Sequence, residues 1–217
     1  MTAGSPDEYF VQIEDTLVGR KAGTGAAEKA KQAREAAPLR TFVARIFGQH
    51  TDERAWRRGA DGERFVGWLL SRLPDGWHVF NDVPVGERGA NIDHVVIGPG
   101  GVFTINTKNI SGKVLAGSRA LLRNGRRTDY LPKAAHEARR AGRLLTEALG
   151  RPVRVHGTLA IIADEVKIEQ QPSDVFVGTP RGVKAWMLDR PPVLTPRDVI
   201  EIAGVAHKPA TWSSARH

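Results

Sequence analysis

Cysteine is absent from the 217 residues. That excludes disulfides and thiolate-bound metal centres. No apolar run approaches the roughly 18 residues a membrane-spanning helix needs. Met1–Glu8 has neither the basic start nor the apolar core of a secretory signal. A cytoplasmic chain with no membrane partner is therefore expected. The histidines show no H-x-x-x-H spacing for zinc. The serines have no His and acid spaced to suggest a triad. Gly98-Pro99-Gly100-Gly101 lacks the Lys-Ser/Thr of a phosphate-binding loop. There is no internal repeat at solenoid periods.

What is present is an apolar content of 41%, enough for one sizeable core, and a net charge of +8. The charge is unevenly placed. Residues 1–54 hold 8 basic and 8 acidic side chains, whereas residues 108–154 hold 12 basic against 3 acidic. An excess of this kind is an electrostatic footprint for a polyanion, or else a solvated basic surface. Arg123, Arg126, Arg127, Arg139, Arg140 and Arg143 are the candidate phosphate contacts.

The chain is organised around Asn91–Asn109, where two apolar, β-branched runs flank Gly98-Pro99-Gly100-Gly101. Pro99 presets φ for the first turn position, and Gly100 tolerates φ > 0 at the second. With the tip there, Gly98 faces Gly101 and Ile97 faces Val102. Counting outward, Asp93 lies opposite Asn106, and Lys108 shares their face. The strands are otherwise apolar on both faces, as in a sheet centre. A charged group there is costly unless it is paired or bound to an ion. His94 points to the other face and reads as structural.

The runs Gly59-Ala60-Asp61-Gly62-Glu63, Asn91–Gly98, and Gly101–Asn109 with Ser111-Gly112 resemble the nuclease-related domain (NERD) family, a branch of the PD-(D/E)xK, restriction-endonuclease-like superfamily. The resemblance is strongest over Gly59–Gly117, weakens toward Ala206 and leaves out the first fifty or so residues. It implies an α/β sandwich with a mixed central sheet flanked by helices. It implies that Glu63 is the glutamate of the first core helix, Asp93 the metal-binding aspartate and Lys108 the lysine of the (D/E)xK element. The Thr107 carbonyl is a further metal ligand by the same resemblance. Asn106 departs from the pattern, because the superfamily usually has an acid there.

Around this centre, residues 1–54 read as a helical, flexible arm and 55–217 as the nuclease-like domain. Asp61 is expected to N-cap a helix to about Leu73, with Glu63 in its first turn. Trp77–Val83, Gly112–Leu115, Ala120–Arg123, Val153–Ala163 and Val175–Val177 read as strands, and Asn124-Gly125 as a hairpin turn. Asp129–Leu149 reads as a long helix whose buried stripe is Ala134, Ala138, Ala141, Leu145 and Ala148. Pro180–Leu188 is a further helix. Thr195 and Pro196 open a last one, which Lys208-Pro209 ends.

Phosphodiester hydrolysis needs an activated water and neutralisation of the charge building on phosphate. Mg²⁺, or Mn²⁺ in its place, held by one or two carboxylates supplies both. Asp93, Glu63, Asn106 and Thr107 are the candidate ligands, and Lys108 can stabilise the transition state. Asn106 contributes only a neutral oxygen. Glu at that position is expected to add a third carboxylate and tighten metal binding. Two functions follow. One is a Mg²⁺-dependent nuclease acting on DNA. The other is a nuclease-fold module that binds nucleic acid or a protein partner with little or no catalysis.

Overall fold

The computed structural model describes residues 50–86 and 90–213, with the backbone alone over 50–59. Most of the expected N-terminal arm lies outside these residues. Helix α1 spans His50–Leu70. It is followed by β1 (His78–Val85), β2 (Ala90–Gly98), β3 (Gly101–Asn109), β4 (Lys113–Ala116), β5 (Leu121–Arg123) and β6 (Arg126–Arg127). Then come α2 (Tyr130–Leu149), β7 (Val155–Ile162), β8 (Glu165–Ile168), β9 (Val175–Gly178), α3 (Pro180–Leu188), α4 (Pro196–Ala206) and α5 (Pro209–Ser213).

The central sheet has the order β1-β2-β3-β7-β9. The first three strands pair antiparallel, while β3–β7 and β7–β9 pair parallel. Parallel neighbours need a long crossover, and α2 supplies it between β3 and β7. One face of the sheet is covered by α2, α4 and α5, whose Leu144, Leu145, Ile202 and Trp212 meet Val95, Ile97 and Val102. The other is covered by α1 and α3, whose Val66, Leu70, Val183 and Met187 meet Val96, Phe103 and Ile105. A mixed sheet flanked by helices is the architecture expected from the sequence.

A second sheet, β6-β5-β4-β8, packs Val114, Ala116 and Leu121 against Ala134 and Ala135 of α2 and against β7 and β9. Strand β8 has no counterpart among the strands expected from the sequence. Its side chains are mostly exposed, so it carries no apolar alternation. The strand exists because it lies parallel to β4, with Val114 beside Val166. Helix α5, likewise without a signal in the sequence, follows the Lys208-Pro209 stop and buries Trp212, whose indole donates to the Ala206 carbonyl at 2.7 Å.

Three local expectations are corrected. Asp61 is not an N-cap, because α1 begins at His50 and runs through Gly59 and Gly62. Glu63 therefore sits well inside the helix and not in its first turn. At the β2–β3 tip the positive φ belongs to Gly101 (128°) and not to Gly100. Ala148 is not part of the buried stripe of α2, which instead includes Ala135, Gly142 and Leu144, because two packed layers widen it. Other local signals hold. Asn124 and Gly125 both take positive φ in the β5–β6 turn. Thr195 opens α4 with a reciprocal capping box to Asp198.

Candidate active site at the β2–β3 fork

The β2–β3 register pairs Gly98 with Gly101 and Ile97 with Val102, as the turn dictates, and continues to His94–Ile105. There the pairing stops, although β2 continues along β1 to Ala90 and β3 continues along β7 to Asn109. Two strands that part while each remains bound to its outer neighbour make a fork. Asp93 and Asn106 are the next residues in register on either side of it. Asp93 Oδ2 bridges the opening by accepting the Thr107 backbone N–H at 2.6 Å. Asn106 and Thr107 are buried, and Lys108 is half-buried with its Nζ 5.5 Å from the Tyr130 ring centroid.

Glu63 reaches the fork because α1 lies tight on β3. Gly62 makes this possible: a Cβ there would stand 2.6 Å from Asn109 Cβ. The carboxyl of Glu63 is pushed up to about 8, first by burial, then by the charges of Asp93 and Asp82, against the pull of Lys108. Asp93 is pushed up to about 6 by burial, with Lys108 and the Thr107 N–H opposing. Desolvated carboxyl groups, one of which feels the other's charge, gain from a cation beside them.

His94 is fully buried on the opposite face, its Nδ1 2.9 Å from Asn81 Oδ1, and burial pushes it down to about 3. It is a neutral, structural imidazole, as its place in the alternation implies.

Two further acids at the site are not among the residues singled out from the sequence. Asp82 stands between Asn81 and Val83, which pair with His94 and Ile92, so it faces Asp93 across β1–β2. It is buried, adopts a left-handed φ of 51°, and accepts the Asn91 amide at 2.6 Å. Such a conformation costs a non-glycine residue about 1 kcal/mol or more. No local pattern in the sequence marks it. Glu137 comes from α2, and its Oε1 and Oε2 lie 2.9 and 3.1 Å from Asn106 Nδ2. Burial raises its pKa, while the Asn106 hydrogen bond and the Lys108 and Lys133 charges oppose this. A signal for Glu137 is present: it is an acid set among Ala134, Ala138 and Ala141, on the edge of an apolar stripe.

The basic residues divide into two groups. Arg123, Arg126 and Arg127 line a pocket of about 760 Å³ with Thr128, Asp129 and Tyr130, and Tyr130 also faces Lys108. Arg140 lines a second pocket with Lys133, His136 and Glu137. Arg139 and Arg143 lie about 160° and 120° around α2 from Glu137. They face away from the fork.

Mg²⁺ sites in proteins use one or two carboxylates, with water completing the shell. Asp93 and Glu63, together with the Asn106 Oδ1, which is buried and without a partner, match that donor set. Among the described residues no group of three His, Cys, Asp or Glu side chains is placed to hold a metal ion. No helix among the described residues is long and apolar enough to cross a membrane.

Residues 58–162 match the family model described as the nuclease-related domain. That interval runs from α1 to the end of β7 and contains every residue of the fork. An uncharacterized protein of Bacillus anthracis is 39% identical over 67 residues, 29% of this chain and 32% of that protein. The chain thus spans about a third of that relative. No solved structure matches.

Proposed function

We propose that the chain, whose residues 58–162 match the family model described as the nuclease-related domain, is a metal-dependent nuclease that hydrolyses phosphodiester bonds in DNA. The observation that carries this reading is the fork, where the buried, raised carboxyl groups of Asp93 and Glu63 stand beside Lys108. Asp93 and Glu63 would hold Mg²⁺ or Mn²⁺, with Asn106 Oδ1 and the Thr107 carbonyl as neutral donors. Bound there, such an ion supplies an activated water and neutralises charge on the phosphate.

The rest falls to the chain's own side chains. Asp93 is fixed by the Thr107 N–H, so its carboxylate needs no reorientation. Lys108 presents a cation to the phosphate oxygens as charge develops on them. Arg123, Arg126 and Arg127 offer guanidinium groups to neighbouring phosphates on the Tyr130 side, and Arg140 does so on the other.

A second reading, a nuclease-fold module that binds nucleic acid or a protein partner without efficient turnover, draws on Asn106, which brings an amide where the superfamily usually brings an acid. Cleavage of plasmid and oligonucleotide DNA with Mg²⁺ or Mn²⁺, for the wild type and Asp93→Ala, separates the two. Cleavage that is lost in the variant supports the nuclease. DNA binding that is equal in both proteins, with no cleavage in either, supports the module.

A further inference from the structure

Facing an ionised Glu137, the amide of Asn106 has one orientation open to it. A carboxylate accepts hydrogen bonds and does not donate them, so the nitrogen must face Glu137. The distances of 2.9 and 3.1 Å from Nδ2 to the two Glu137 oxygens fit this. The Oδ1 is thereby turned to the other side of the amide, where it is buried and has no partner. A buried amide oxygen without a partner costs about 1–3 kcal/mol. A buried group of this kind calls for an explanation, and an ion or water that satisfies it is one. Across the fork, in register, stands Asp93.

We propose that Glu137 is a positioning residue for Asn106. It holds the amide with Oδ1 turned toward the cation site and polarises it, so that the Asn106–Glu137 pair does the work of the acid missing from position 106. The negative charge is present but one residue removed, delivered from α2 instead of β3. This rests on the metal-dependent reading above and deepens it. It also revises the expectation that Asn106→Glu alone tightens metal binding. A carboxylate at 106 would meet that of Glu137 at the distance now spanned by a hydrogen bond, and like charges so close cannot both ionise freely.

The test is calorimetric titration with Mn²⁺ of the wild type, Glu137→Gln, Asn106→Glu and the Asn106→Glu/Glu137→Gln double variant, with thermal melts alongside. Partners that orient a metal ligand typically account for about 10–100-fold in affinity, and Glu137→Gln is expected to weaken binding by that factor without lowering the melting temperature comparably. Asn106→Glu alone is expected to gain little or to weaken, and the double variant to bind at least as tightly as wild type. Glu137→Asp, which keeps the charge but withdraws it, gives a partial loss and serves if the Gln variant does not fold. Wild-type affinity in both Glu137 variants, or equal affinity in Asn106→Glu and the double variant, overturns the proposal alone. A wild type that takes up no Mn²⁺ overturns the metal-dependent reading and this proposal with it.

Discussion

Gly62 and Asn109 are in contact across the α1–β3 interface, and a methyl group at 62 would overlap Asn109 Cβ, at 2.6 Å. That Cβ is the root of its side chain and cannot swing aside. The interface is the hinge of the site, because Glu63 follows Gly62 and Lys108 precedes Asn109. Gly62→Ala must push α1 away from β3 and withdraw Glu63 from Asp93. The expected cost is about 1–3 kcal/mol of stability, as for overpacking elsewhere. A chemical denaturation series measures it, and Mn²⁺ affinity should fall in the same protein. Unchanged stability would mean that the helix rides over β3 with room to spare.

Asp93 has two tasks, and substitutions separate them. Asp93→Asn keeps an oxygen for the Thr107 N–H but removes the charge, so the fork should stay closed and the fold intact. Because burial raises the pKa of Asp93, removing its charge relieves a desolvation penalty. The metal-free variant is expected to melt no lower than wild type at pH 8 while losing Mn²⁺ binding and cleavage. A marked drop in melting temperature would show that the carboxylate is chiefly structural.

The pKa shifts fix the sign of the pH response. Glu63 rises from 4.5 to about 8 and Asp93 from 3.8 to about 6 in the fold. Their folded-state protons are held more tightly than in the unfolded chain. The stability they contribute is fully present below about pH 4 and is lost as the pH climbs through 6 and then 8. Metal binding must displace the same protons, so Mn²⁺ affinity should rise over that window, roughly tenfold per pH unit for each proton released. Calorimetry in buffers of different ionisation enthalpy counts the protons. A flat affinity between pH 6 and 8 would remove Glu63 from the ligand set.

Lys108 lies on the fork without a carboxylate within salt-bridge distance among the ion pairs of the described residues. Lys108→Met keeps the apolar stem against Tyr130. It is expected to lower turnover by about 10²–10³, the usual effect of removing one stabiliser of developing charge. Mn²⁺ affinity should hold or rise. Cleavage at the wild-type rate would assign the ammonium to another task.

The two arginine groups should differ in their salt dependence. Arg123, Arg126 and Arg127 lie beside Tyr130 and hence beside Lys108, whereas Arg139 and Arg143 face away. Replacing the first three by alanine should lower the slope of log affinity for duplex DNA against log salt by about 0.9 for each phosphate that is no longer neutralised. Replacing Arg139 and Arg143 should change it less. Equal effects would mean that a diffuse field, and not the hairpin, attracts the strand.

Much of this is legible in the chain because it is local. The Gly98–Gly101 turn has one sensible register, and a two-residue period carries that register outward to His94–Ile105, one step short of Asp93 and Asn106, where the strands part. Thr195-Pro196 and Asn124-Gly125 are likewise short-range signals, since caps and tight turns depend on neighbouring residues. What the tertiary structure decided depends on residues far apart in sequence. Asp61 reads as an N-cap because a short acidic side chain favours that position, yet α1 runs through it and Gly62 lets two backbones approach, which is known only once α1 lies on β3. Strand β8 has no pattern of its own and is made by β4. Glu137 is separated from Asn106 by 31 residues. Its alanine neighbours show that α2 is buried around it, but that its carboxylate meets the amide of Asn106 follows only from the packing of α2 against β3.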